Sequence, residues 1–122
     1  MLKAGRETDL LILEKVLGFK WEKAYGCWRK VDKQDVIYSY EDTSPFSTNT
    51  SHAMYAIEYF RKYFPGCHIQ IGTVEISDPY GNITGWYCEI FGEGLIATLC
   101  SRDTLAMAIC QALLTAVGAY RS

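Results

Sequence analysis

The stretch HIQIGTVEIS-DPYGN-ITGWYCEIF, residues 68–91, reads as an antiparallel hairpin and decides the fold class. From His68 to Ser77 the apolar residues Ile69, Ile71, Val74 and Ile76 recur near every second position, the period of a strand. The phase slips at Gly72-Thr73, which predicts a β-bulge there. Asp78-Pro79-Tyr80-Gly81-Asn82 is dense in turn formers, and Ile83 to Phe91 supplies the returning arm. Gly92-Glu93-Gly94 predicts a further turn into a third strand, Leu95 to Cys100. Three strands in succession make a meander.

Helical periodicity flanks the meander on both sides. Downstream, a helix is expected from Asp103 to Val117, with Ser101 or Asp103 as N-cap and Gly118 at its stop. Gln111 and Thr115 are almost its only polar interruptions. A helix apolar all round is buried on more than one side. In a chain of 122 residues the second side is expected to meet another subunit, so a homo-oligomer, dimer or higher, is predicted.

Upstream, Leu10, Leu13 and Leu17, widened by Ile12 and Val16, predict a helix from Glu7 to Leu17 that ends at Gly18. Glu7 and Asp9 suit its positive dipole end. Phe19 to Thr43 is rich in Trp, Tyr and charge, and within it residues 36–40 read either as a short strand or as an ordered loop. A second helix follows, with Ser47 or Thr48 as N-cap, apolar Ala53, Ile57, Phe60 and Phe64, and a stop at Pro65-Gly66. Helices segregated from a run of strands define an α+β class. The expected architecture is a three-stranded antiparallel meander layered between helices, an α-β-α sandwich, in one domain spanning residues 1–122.

Composition narrows the function. A net charge of −2 provides no broad basic field, which disfavours duplex nucleic acid as a partner. No apolar run approaches the roughly 20 residues of a membrane span, and Met1 to Arg6 leads into polar Glu7-Thr8-Asp9 without a signal-peptide core. Five scattered cysteines without a C-x-x-C pair read as free thiols of a reducing cytoplasm.

Catalytic constellations are missing from the pattern. His52 and His68 have no metal-ligand neighbours at helical or hairpin spacing, and no nucleophile elbow or H-E-x-x-H occurs. Gly92-x-Gly94 lacks the third glycine and following helix of a phosphate loop. The expectation is a binding protein that is not an enzyme and needs no metal or cofactor.

Three features suit an anionic, base-bearing ligand. Trp21, Tyr25 and Trp28, interspersed with Lys20, Lys23 and Arg29, fit either base stacking with phosphate pairing or the cover of a small core. Tyr55, Tyr59 and Tyr63 form an i, i+4 stripe near Arg61 and Lys62, read as packing or subunit contact before ligand contact. Ser47-Thr48-Asn49-Thr50 and Ser101-Arg102-Asp103-Thr104 open helices, where free amides accept an anion.

Arg6-Glu7-Thr8-Asp9 leading into Leu13-Glu14-Lys15-Val16-Leu17-Gly18, then Pro45-Phe46-Ser47-Thr48-Asn49, then Thr104 to Gly118 with Ala108-Ile109-Cys110-Gln111-Ala112, together resemble the phage ABA sandwich domain. The resemblance implies a sheet sandwiched between helices in a phage or prophage protein. The layout is also similar to the Thoeris anti-defence sponges of phages, oligomers that sequester cyclic ADP-ribose signals. One departure is Gln111, where the last helix of that pattern often carries Arg, which would weaken a phosphate contact. What the resemblance implies is a protein of the bacterial host cytoplasm that binds and sequesters a small anionic nucleotide without cleaving it. The ligand-binding set is Trp21, Trp28, Arg29, Ser47, Thr48, Asn49, Arg61, Phe91, Arg102 and Thr104. The competing expectation is an accessory protein that binds a host protein through the tyrosine stripe.

Overall fold

A computed structural model describes residues 2–31, 35, 37–92, 95 and 98–120. Helix α1, Arg6–Leu11, runs into a π-helical stretch, Ile12–Val16. Strands β1 (Lys20–Glu22), β2 (Cys27–Val31) and β3 (Ile37–Tyr40) follow, then α2, Thr50–Tyr63. Strands β4 (Cys67–Asp78), β5 (Gly81–Gly92) and β6 (Thr98–Arg102) precede α3, Leu105–Ala116. The class is α+β, with the expected antiparallel meander in the order β4-β5-β6.

The first helix is wound differently from expectation. Leu17 N–H bonds Ile12 O at 3.0 Å, a five-residue step that rotates the apolar stripe. Its buried face is Thr8, Asp9, Ile12, Leu13 and Leu17, while Leu10 is only half-buried. Asp9 has a more specific role than dipole complement: its carboxylate accepts the buried Ser47 N–H at 2.7 Å and ties α1 to the approach to α2.

Phe19 to Thr43, where the sequence pattern predicts at most one short strand, contains a second antiparallel sheet, β1-β2-β3. Of residues 36–40, Ile37–Tyr40 is strand and Val36 lies outside the described residues. The pairs Trp21↔Trp28 and Trp28↔Tyr40 set one aromatic row across all three strands.

The hairpin β4-β5 pairs without interruption from Cys67↔Gly92 to Asp78↔Gly81, so no bulge interrupts it at Gly72-Thr73. The phase slip has another cause. Cys67, Ile69 and Ile71 join the core, whereas Val74 and Ile76 lie on the opposite face. Gly72 marks the crossover: a β-carbon there would stand 2.6 Å from the Tyr87 ring, which lies across the glycine. The third strand is Thr98–Arg102, so it takes in Ser101 and Arg102, and Leu95 stands before it. Glu93 and Gly94 of the intervening turn, and Ile96 and Ala97 of the expected strand, lie outside the described residues.

Both later helices are capped one to three residues downstream of expectation. Asn49, not Ser47 or Thr48, accepts the His52 N–H at 3.2 Å, and Thr104, not Ser101 or Asp103, accepts the Met107 N–H at 3.2 Å. Ser47 is instead buried, its hydroxyl bonding the Gly5 amide at 2.9 Å. Gly18 and Gly118 end their helices as expected, both with φ of +79°.

Helix α3 is the centre of the molecule. One side lies on β5 and β6; the other is covered by α2 and the π-helical stretch. Eight of its residues are buried, including Ile109, Leu113 and Leu114 at 0% exposure. Its all-round apolarity is therefore satisfied within one chain, and it supplies no ground for a subunit interface. Each fully buried large side chain contributes about 1.5–3 kcal/mol. No helix of the described residues is long and apolar enough to cross a membrane.

Candidate functional site

The second sheet and α2 together build an aromatic hollow. Alternation along β2 and β3 puts Trp28, Lys30, Tyr38 and Tyr40 on one face, with Lys30 opposite Tyr38. The i, i+4 spacing of α2 aligns Tyr55, Tyr59 and Tyr63. Phe19, just past the first helix, closes the third wall, its ring 5.0 Å from Tyr40. The resulting hollow, of about 220 Å³, is lined by Phe19, Lys30, Tyr38, Tyr40, Tyr55, Tyr59, Lys62 and Tyr63.

Lys30 organises it. Its Nζ donates to the Leu17 carbonyl at 2.6 Å, where the ammonium meets the negative end of the first helix. It also donates to Tyr63 Oη at 3.0 Å and sits 4.0 Å from the Tyr59 ring centroid and 5.0 Å from that of Tyr63. Tyr59 and Tyr63 are bonded hydroxyl to hydroxyl at 2.9 Å. Such a hollow offers π faces to a planar ring, and phenols and a lysine to an oxyanion.

The sequence-predicted residues divide into separate places. Trp21 and Trp28 contact edge to face at 5.7 Å and line a groove of about 450 Å³ with Glu14, Lys15, Lys20 and Phe19, so Phe19 is shared with the hollow. Arg29 turns away and covers the Tyr25 ring at 4.0 Å. Ser47, Thr48, Arg102 and Thr104 meet in a third groove at the starts of α2 and α3, together with Lys3 and Thr50. There Arg102 donates to Gln111 Oε1 at 2.7 Å, and the Thr104 hydroxyl accepts from Met107. Asn49 caps α2, Arg61 pairs with Glu58 at 3.6 Å on the surface, and Phe91 stacks on His68 at 5.3 Å. The ten residues thus form no single site.

Phe19, Lys30, Tyr38, Tyr40 and Lys62 were missed as ligand candidates. A signal was available: Trp28/Lys30 and Tyr38/Tyr40 are i, i+2 pairs, each of which shares one strand face. Their meeting with the tyrosine stripe is a tertiary fact.

The thiols are placed for packing. Cys88 lies opposite Cys100 on neighbouring strands, and both are buried with Cys110 in the core. Burial, reinforced by the Cys100 thiol, pushes Cys88 up to about 12; burial, then Asp9 and Cys88, does the same for Cys110. Thiols held neutral are poor nucleophiles. Iodoacetamide at pH 8 should therefore modify half-buried Cys27 well before Cys88, Cys100 or Cys110. Peptide mapping that finds Cys88 or Cys110 labelled as fast as Cys27 would refute this. The same raised values destabilise the fold in alkali. The unfolded thiols ionise above about pH 9 and the folded ones do not, so stability falls between about pH 9 and 12, by at most about 1.4 kcal/mol per pH unit and thiol. The fall should be shallower in Cys110→Ala.

Compared with protein-family models, with curated proteins and with solved structures, the chain matches none of them. Fold and site together define a small α+β protein with an aromatic, lysine-bearing hollow.

Proposed function

We propose that this chain binds and sequesters a small anionic, ring-bearing ligand of the nucleotide class without cleaving it, at the hollow between the second sheet and α2. The observation that carries the reading is the convergence of five tyrosines, Phe19, Lys30 and Lys62 on one concavity. At about 220 Å³ the hollow is smaller than the roughly 300–1,000 Å³ of a pocket that encloses a whole ligand, so it has room for part of such a ligand, its ring in the first place. The neighbouring groove of Trp21 and Trp28 provides room for the remainder of a longer ligand.

The resemblance to phage sandwich domains narrows the ligand to a cyclic ADP-ribose signal and the setting to the cytoplasm of a bacterial host, where the protein would blunt a Thoeris-type defence. A second copy closing over the ligand belongs to the same proposal, supported by exposed Tyr38, Tyr40, Tyr55 and Tyr63 around the hollow.

Calorimetry with cyclic ADP-ribose isomers should show binding, and heating the complex should release the nucleotide intact. Tyr59→Ala combined with Lys62→Ala should weaken binding at least tenfold, the loss of about 1.4 kcal/mol or more. Light scattering should show a larger assembly in the presence of ligand. Absence of heat with every cyclic ADP-ribose isomer would reject this ligand, and recovery of an altered nucleotide would reject sequestration.

A further inference from the structure

Proton accounting inside the hollow assigns its donor. An ammonium carries three hydrogens and no acceptor. In Lys30 one goes to the Leu17 carbonyl and one to Tyr63 Oη, and the third is left to the face of the Tyr59 ring, whose centroid is 4.0 Å from Nζ. The two phenols own two hydrogens, and the single bond between them at 2.9 Å uses one. Because Tyr63 already accepts from an ammonium, its own O–H is the polarised one and donates onward to Tyr59. The leftover hydrogen is then that of Tyr59, whose side chain lines the hollow beside Lys62.

We infer that the Tyr59 phenol is the oxyanion-recognising donor of this hollow, oriented and polarised by Lys30 through Tyr63. Lys30 also lines the hollow, but its ammonium is engaged by the Leu17 carbonyl, Tyr63 and the Tyr59 ring, so it acts as a positioning residue and leaves the Tyr59 phenol and Lys62 to meet a ligand. The inference rests on reading the hollow as a ligand site, and it specifies what the site recognises: a ring bearing a phosphate or similar oxyanion in preference to the same ring without one.

The test compares AMP, adenosine and phenyl phosphate by calorimetry on the full chain. The wild type should bind AMP and phenyl phosphate more tightly than adenosine. Tyr59→Phe keeps the ring and removes the donor; it should weaken both phosphorylated probes about tenfold and leave adenosine unchanged. Tyr63→Phe keeps the Tyr59 hydroxyl and cuts its link to Lys30; it should cost the phosphorylated probes about threefold, again sparing adenosine. A structural role would lower all three probes together, so an equal loss for adenosine overturns the assignment. So does an unchanged affinity in Tyr59→Phe, or a wild type that binds no phosphorylated probe. Binding of phenyl phosphate without AMP would retain the donor and sink the nucleotide reading.

Discussion

Leu113→Ala should destabilise the protein by about 3–5 kcal/mol, the upper part of the range for emptying a core leucine site. Leu113 has 0% exposure and stands on the central helix, with the sheet on one side and α2 and the first helix on the other. A void there has two layers of neighbours that would have to move to fill it, and each is held by its own hydrogen-bonded ladder or turn. Total stabilities are about 5–15 kcal/mol, so this one truncation removes a large share. With an m-value of about 1.5 kcal/mol per M, the urea midpoint followed by tryptophan fluorescence should fall by about 2–3 M. Leu99→Ala is the control. Leu99 is 65% exposed on the outer face of β6, and its truncation should cost under about 0.5 kcal/mol. Equal midpoints for the two variants would refute the central placement of α3.

Gly92→Ala should lower the melting temperature by about 10 °C. Gly92 closes β5 opposite Cys67 and has φ of +149°, a conformation L residues rarely adopt. A β-carbon would also stand 2.8 Å from the Gly66 carbonyl oxygen and 2.9 Å from Cys67 Cα. Both are backbone atoms, so relief requires the start of β4 to shift. Backbone strain and overpacking together amount to about 2–4 kcal/mol. Gly118 separates the two contributions. Its φ is +79°, yet a β-carbon there would meet nothing within 4 Å. Alanine at that position bears the backbone strain alone and should lower the melting temperature by about 4 °C. Equal shifts for the two glycines would show that the close approach at Gly92 is not restrictive.

The hollow escaped sequence reading for a specific reason. Its tyrosine stripe was legible from i, i+4 spacing, and β3 was half legible in Ile37–Tyr40. What could not be read was that residues 20–40 hold a sheet of their own, because β1 has only three residues and periodicity over so short a span carries little information. Lys30 and Tyr63 are 33 residues apart, and no local pattern announces their bond. Conversely, the helix starts were legible as a class but displaced by one to three residues. Ser47 and Asn49 are both competent caps, and the choice fell to Asn49 because Ser47 is engaged by Gly5 and Asp9.

Sequence alone determined the α+β class, the helix stops at Gly18 and Gly118, and the meander, because backbone conformational preference and strand alternation are local properties carried by each residue and its near neighbours. Tertiary structure decided the rest. The apolar circumference of α3 required burial on more than one side, but only the packing of α2 and the first helix could show that this chain provides both sides itself. Likewise each of Lys30, Tyr59 and Phe19 is an ordinary residue in its own segment. Their conjunction depends on how the second sheet meets α2, a contact between segments distant in the chain, and it is this conjunction that builds the hollow.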